Sequence, residues 1–463
     1  MNFDVIVVGA RCAGATLATL LARSGARVLM LDAQALPGDM PLSTHYIQAP
    51  GMEVLDEIGV GAAIRACTPP NRRIRARFDE HDVYVNRPEG RWQYCPRRST
   101  VDPLILKAAL DAGATLRDRS RVVDLVRVDG RVSGVVTHTA RGEERFHAAL
   151  VVGADGRNST IARLTGAEDY QTLRGTRSAY WFYFPAPSIW REDPRYRDWD
   201  AYVGWEGDGM RYVFQCDDNL LLMAAAPPAE EFAGWSADYR AATLKYLSAS
   251  DVTRPLVEAT RPLGKGVGIR SIDFYYRRAV GPGFALVGDA GNFKDPVTGH
   301  GMTDAFIGAK RLHAAVLEGT DGAYQRYWRE RDASTLAWHF DAFRLGEVGV
   351  NNPFQRMLFE NLARTPRLAA RLAAIADRQL SPLQAFSPGE TLGMVARALL
   401  HGRFDVIRPF LATGRRMKEY RAEVARAEEF VRALAARERF MPAKADSAFA
   451  QRTSMHSALG QTS

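Results

Sequence analysis

A glycine-bearing turn between a short apolar strand and a helix constrains this chain more than any other feature in it. Asp4 to Val8 reads as a buried strand, Ala13 to Ser24 as a helix stopped by Gly25, and Ala26 to Leu31 as a second strand, a βαβ unit. The turn is Gly9-Ala10-Arg11-Cys12-Ala13-Gly14, and Asp32 follows the second strand. Gly9 permits the tight turn and Gly14 lets helix and strand pack closely. The unpaired N–H groups and positive dipole of the helix start favour a diphosphate. Asp32 is placed to accept hydrogen bonds from ribose hydroxyls. Arg11 stands where a middle glycine normally lets the backbone approach a pyrophosphate. Read functionally, Arg11 adds charge beside phosphates; read blandly, the segment is a βαβ turn that binds nothing.

Two later segments carry similar signals. Ala149 to Gly153 reads as a strand ending in Ala154-Asp155-Gly156-Arg157-Asn158-Ser159, ahead of a short helix from Thr160 to Leu164. Ligands in open α/β sheets bind at that carboxyl edge, although Asp155 between small residues also suits a plain turn cap. Phe284 to Val287 is a further buried strand. It runs into Gly288-Asp289-Ala290 and then Asp295-Pro296-Val297-Thr298-Gly299-His300-Gly301-Met302, which opens a helix from about Met302 to Leu317. Asp289 at a strand end suits a ribityl or ribose hydroxyl, Pro296 offers a rigid apolar contact, and Gly299 and Gly301 let backbone N–H groups approach a flat ring. A helix N-terminus at such a ring stabilises negative charge on it.

Between these segments the pattern changes. Pro103 to Ala112 reads as a helix, and Val122 to Val128 and Val132 to His138 flank Asp129-Gly130 as a hairpin. From Ser178 to Ala226, aromatic and β-branched runs broken by polar turns predict an antiparallel sheet. Tyr180 to Phe184, with Tyr202, Trp205, Tyr212 and Phe214, make it unusually aromatic, about half to each face. Beyond Ala333 the chain reads as helical, with amphipathic segments near Pro366 to Arg378, Leu392 to His401 and Met417 to Arg439.

Composition narrows the function classes. The net charge of +8 is spread through the helices among Asp and Glu, with no basic block, which argues against nucleic acid and for a general preference for anionic ligands. The four cysteines, Cys12, Cys67, Cys95 and Cys216, form no C-x-x-C pair, so neither a metal site nor a disulfide framework is expected. No signal peptide or stretch long enough to span a bilayer is read, and a cytoplasmic location is expected.

The three segments, in this order and spacing, resemble the class A flavoprotein monooxygenases with the para-hydroxybenzoate-hydroxylase-like fold. The resemblance covers residues 1 to about 330. It implies that Gly9, Arg11, Gly14 and Asp32 hold the ADP half of FAD, that Asp155 lies near FAD and a transient NADH or NADPH, and that Gly288 and Asp289 hold the ribityl chain. Pro296, Gly299, Gly301 and Met302 then border the ring. Pro96-Arg97-Arg98-Ser99-Thr100-Val101-Asp102 resembles the family's Arg-containing helix start, which points to Arg98 as an FAD contact; an Arg98 paired with Asp102 at a helix entrance is the plainer reading. Val122 is expected at the adenine through its backbone. In Leu42-Ser43-Thr44-His45-Tyr46-Ile47-Gln48, where this family runs toward the ring, His45 is the candidate catalytic residue and Gln48 a second candidate.

The expected architecture is α/β: a discontinuous Rossmann-like FAD-binding domain (1–70, 96–170 and 280–332), an antiparallel-sheet substrate domain (71–95 and 171–279), a helical C-terminal region (333–440) and a disordered tail (441–463). The expected function is a monooxygenase using NAD(P)H and O2, through a flavin hydroperoxide, to hydroxylate or epoxidise an apolar, aromatic or polycyclic small molecule. A reductase or dehydrogenase resembling geranylgeranyl reductases is the alternative; Tyr180-Trp181-Phe182-Tyr183-Phe184-Pro185 loosely echoes that group's Tyr-x-Trp-x-Phe-Pro signature. A module that docks a protein or membrane through its C-terminal helices is the reading from another class.

Overall fold

Short apolar runs ending in glycine or aspartate build the first sheet of the computed structural model, which describes residues 2–40, 43, 45–270, 273–437 and 440. Phe284–Leu286, Gly142–Gly153, Asn2–Val8, Val28–Leu31 and Thr115–Arg117 lie side by side in that order, all parallel. Val5, Val7, Val28 and Met30 face one core with the helix Cys12–Arg23; Ile6, Val8, Leu29 and Leu31 face another with Val122, Val135 and Ile161. Both faces are covered, as a parallel sheet requires. Cys12–Arg23 packs against Gly301–Glu318 and Arg98–Asp111, so helices from three distant stretches meet on one face.

Two boundaries differ from the sequence reading. Gly142–Gly153 extends well ahead of Ala149: its first half pairs antiparallel with Arg131–Thr139 and its second half parallel with Asn2–Val8. The exposed Glu143, Glu144 and Arg145 hid that first half, because one side of a meander faces water. The helix predicted from Pro103 begins at Arg98, with Pro103 inside it. Proline forfeits one N–H there, and Arg98 and Asp102 clasp the turn around it with hydrogen bonds of 2.7 and 2.8 Å. The expected hairpin turn is present, with Asp129 and Gly130 at φ 49° and 77°.

The second sheet has seven strands in the order Leu263–Ile269, Ala179–Pro185, Leu220–Ala226, Gly209–Gln215, Ala201–Glu206, Arg73–Phe78 and His81–Asn86. All pairs are antiparallel except Ala201–Glu206 with Arg73–Phe78. Alternation divides its aromatics as expected: Trp181, Trp205, Tyr212 and Phe214 pack toward Ala342 and Phe359. Phe182, Phe184 and Tyr202 pack toward Trp190, Trp199 and Leu256. A small third sheet joins Asn292–Phe293, Asp273–Arg277 and Asp169–Arg174.

The C-terminal region is helical: Asp321–Gly346, Pro353–Arg364, Pro366–Ala376, Pro388–Leu400 and Ile407–Arg437. The fourth starts ahead of Leu392 because Ser387 and Glu390 form a capping box over Pro388. The last starts at Ile407 rather than Met417; Pro409 falls in its first turn, where no N–H needs an intrahelical partner. The expected disordered tail lies outside the described residues. Among the described residues no helix is long and apolar enough to cross a membrane.

Candidate functional site

The carboxyl ends of Asn2–Val8, Val28–Leu31, Gly142–Gly153 and Phe284–Leu286 open onto a cavity of about 510 Å³. Gly9, Arg11, Asp32, His45, Arg98, Val122, Asp155, Gly288, Asp289, Pro296, Gly299, Gly301 and Met302 all line it. Gly14 does not. It lies behind the wall, where a Cβ would run into the Gly9 carbonyl oxygen and meet Val7 Cγ1 at 3.1 Å, so its part is helix-to-strand packing. Gly288, at φ 63°, similarly admits Ala13, whose Cβ would lie 2.9 Å from a Cβ at Gly288.

Asp32 accepts from the backbone N–H of Ala10 and of Gln34 at 3.1 and 2.9 Å, which pins the end of its strand to the glycine turn. Arg11 donates to the Gly38 carbonyl and to Asp102, both at 3.0 Å. Arg98 grips the same Asp102, so the plainer reading of Arg98 is present in the geometry, and yet its side chain lines the cavity. Cys12 donates its thiol to Asp102 at 3.5 Å, and burial pushes that thiol up to about 12. Asp155 also shows its plainer role, accepting from Ser159 Oγ and the N–H groups of Thr160 and Ile161 at the turn into Thr160–Thr165, whose N-cap is Ser159. Burial nonetheless raises its carboxyl.

Asp289 differs from both. Its carboxylate makes no hydrogen bond among the described residues, and burial pushes it up to about 6 against the pull of Lys294 and Arg98. A carboxylate held bare in a cavity costs free energy until donors reach it. Complementary unpaired groups line the same space: Arg157 Nη1, Asn292 Nδ2 and His45 Nδ1 are buried without a partner. Gly301 has nothing within 4 Å of where a Cβ would sit, so its bare backbone borders open space at the start of Gly301–Glu318. Gly299, at φ 64°, bends the chain there beside Tyr46. This donor set, with acceptors at Asp32 and Asp289 and N–H donors between them, fits a diphosphate carrying polyhydroxylated arms.

At the far end, His45 sits at φ 62° with Nε2 hydrogen-bonded to the Tyr183 hydroxyl. Burial, then Arg98, pulls its imidazole down to about 3, so it is neutral. Gln48 does not reach the cavity: it bonds Thr303 Oγ1, the Thr298 carbonyl and Gln93, tying this segment to Gly301–Glu318. Leu42 and Thr44 lie outside the described residues.

A family model described as FAD binding domain matches residues 2–338. The chain belongs to that FAD binding domain family. This flavoprotein is an FAD-dependent oxidoreductase, and its resemblance to flavin monooxygenases holds in fold. It is 34% identical over 173 residues to digeranylgeranylglycerophospholipid reductase 2 of Methanothermobacter thermautotrophicus, covering 36% of this chain and 43% of that one. It is 24% identical over 346 residues to 6-methylpretetramide 4-monooxygenase of Streptomyces rimosus, covering 68% and 75%. In fold it matches p-nitrophenol 4-monooxygenase of Pseudomonas putida with a TM-score of 0.69 at 15% identity, over 82% of this chain and 99% of that one.

Some cavity residues of the flavoprotein were not singled out from sequence. Lys294 and Asp304 line it and form an ion pair, and Asp304 also pairs with Arg378 from beyond Pro366–Ala376. In the sequence Tyr183 is one member of an aromatic run. Cys95 and Cys216, remote in sequence, meet with sulfurs 3.6 Å apart.

Proposed function

We propose that this flavoprotein is a monooxygenase that uses NAD(P)H and O2 to hydroxylate or epoxidise an apolar, aromatic or polycyclic small molecule, with 71–95 and 171–279 as its substrate-binding portion. The observation that carries the reading is the composition of the cavity's far end. There His45, Tyr46, Ile269 and Met302 form the wall, and Tyr183 of the aromatic sheet holds His45. When bound, FAD takes two electrons from the nicotinamide and passes them to O2, chemistry that no side chain here supplies. The chain's task is to hold, orient and exclude water. Asp32 and Asp289 would accept from ribose and ribityl hydroxyls, Arg157 and Asn292 would donate, and Gly9, Arg11 and Arg98 would flank the diphosphate. Val122 would border the adenine, and the start of Gly301–Glu318, with Pro296 and Met302, would face the ring. Shielding the ring from solvent oxygen until substrate enters would fall to the residues at the cavity's far end.

His45 is the proposed substrate-positioning group. Because it is neutral far below pH 5, His45→Asn, whose side chain tolerates a positive φ, is expected to raise KM while the pH profile of kcat between 5 and 8 keeps its shape. Disappearance of a limb of that profile would show that His45 titrates in turnover.

The relative named a reductase, together with the echo at Tyr180 to Pro185, favours one second reading: reduction of a C=C bond. Turnover under ¹⁸O₂ with product mass analysis separates the two. The monooxygenase reading expects one labelled oxygen in the product; a product gaining two hydrogens, or forming equally well without air, would replace it with the reductase.

A further inference from the structure

The first turn of Gly301–Glu318 carries an acidic residue, Asp304, at the helix end expected to face negative charge. Alone it would cancel the roughly half unit of positive charge that a helix N-terminus presents. The fold answers with two cations. Lys294 reaches Asp304 Oδ2 from the loop ahead of Pro296, and its side chain is 4% exposed. Arg378 reaches Oδ1 from the opposite side and is 11% exposed. Arg378 is fixed by a left-handed backbone at φ 58°, by its bond to the Ser334 carbonyl, and by lying 4.7 Å over the Trp338 ring. Burial pushes the Asp304 carboxyl up, but Arg378 and Lys294 outweigh it and hold it below the usual carboxylate range. The neighbouring His300 adds no charge, since burial and Arg378 pull it down to about 3.

Two cations and one carboxylate leave these three residues with one net positive charge, and the neighbouring Asp289 carboxylate, which Lys294 attracts, is shared with Arg98 and Arg157. Such an imbalance is costly inside a protein unless a further anion arrives. Lys294 and Asp304 both line the cavity beside Gly299, Gly301 and Met302. We propose that the Lys294–Asp304–Arg378 cluster is the counter-charge for reduced flavin and sets its reduction potential. Two-electron reduction of FAD takes up two electrons and one proton, leaving one extra negative charge on the ring. The cluster favours that product over the oxidised ring because the attraction exists only after reduction. The inference rests on FAD as the bound cofactor and is independent of whether the reaction is oxygenation or C=C reduction.

The test is a charge series on holoprotein, each member equilibrated with a redox dye and dithionite while the flavin spectrum is followed. Lys294→Met removes the excess charge, Asp304→Asn doubles it, and the double variant restores it to one. The expected order is a lowered potential for the first, a raised potential for the second and a near-wild-type value for the double variant. Each single step should shift the ratio of reduced to oxidised flavin by about tenfold, or about 30 mV for a two-electron couple. Lys294→Arg should stay close to wild type. Of the other charges at the cavity, Arg98 and Arg157 are the same in all members, and Asp289, on which Lys294 pulls, is kept ionised throughout by reading the series at about pH 8.5.

A merely structural cluster would move single and double variants in the same direction, which overturns the proposal. Weaker FAD binding at unchanged potential also overturns it, assigning the charge to the diphosphate. So does loss of FAD from both Asp304→Asn and the charge-conserving double variant, which would make the cluster a device of folding. Wild-type protein that takes up no FAD would instead sink the cofactor reading itself, and the proposal with it.

Discussion

Gly14→Val is expected to empty the flavin site, and Arg11→Gly to leave it filled. A Cβ at position 14 would be driven into the Gly9 carbonyl oxygen, 3.0 Å from the Gly9 carbonyl carbon and 3.1 Å from Val7 Cγ1. None of these can retreat. Gly9 donates to the Leu31 carbonyl at 2.7 Å, and Val7 is paired on both sides, with Met30 and with Val152. Overpacking against movable side chains costs about 1–3 kcal/mol; here the obstacle is backbone, so the Gly9 turn at the cavity must deform. Arg11 is a different case. Its loss removes one donor from Asp102 and the tether to Gly38, while Asp102 keeps both bonds from Arg98. FAD stoichiometry by absorbance, with circular dichroism to show folding, separates the outcomes. A folded Gly14→Val variant with full flavin would refute close packing as the reason for Gly14, and an empty Arg11→Gly site would make that guanidinium an essential ligand.

The second large effect is expected at Asp289, where alanine should weaken FAD binding on the order of ten- to a hundred-fold, the value of about 1.5–3 kcal/mol for hydrogen bonds to a charged group. The pH dependence follows from the sign of its shift. Asp289 is raised from 3.8 to about 6 in the folded chain. Its contribution to the stability of the flavin-free protein is therefore present below pH 4 and lost as pH rises toward 6, where a bare carboxylate is ionised in the cavity. Hydroxyl donors favour that ionised form. FAD affinity should then be flat above about pH 6 and fall by up to about tenfold per unit below it, as binding must expel a proton. Fluorescence titrations at pH 7.5, 6 and 5 check the slope. Asp289→Asn should bind more weakly and lose it; a slope that persists in the Asn variant would place the titrating group elsewhere.

The sites that sequence made legible are those in which function and local geometry coincide. A strand that ends in Gly-x-x-x-x-Gly, in Asp155-Gly156 or in Gly288-Asp289 displays its ligand-facing residue and its turn together, and all three strand ends reach one cavity. Lys294 stands between the two halves of the third motif with no mark of its role, because its partners fall outside that motif: Asp304 lies two residues past Met302, and Arg378 lies 74 residues from Asp304. Nothing in Asp377-Arg378-Gln379 marks a residue bound for an ion pair with a carboxylate of the cavity wall. The same limit hid the meeting of Cys95 with Cys216 and that of Tyr183 with His45, each across separate elements. The Gly142–Gly153 strand was half legible for a related reason, since only its second half is buried and apolar.

The order of strands in the first sheet also governs when, during synthesis, this protein can acquire its cofactor. Asn2–Val8 and Val28–Leu31 emerge from a ribosome early, but Phe284–Leu286 takes its place beside Gly142–Gly153 only after the whole aromatic sheet has been made. A nascent chain therefore holds only part of the cavity wall until Gly288 and Asp289 have been made. Asp289 arrives late, and Arg378 later still. Because a ligand stabilises only the species that binds it, FAD protects finished chains and gives nothing to those released early. Flavin scarcity should thus be felt as lost protein as well as lost activity.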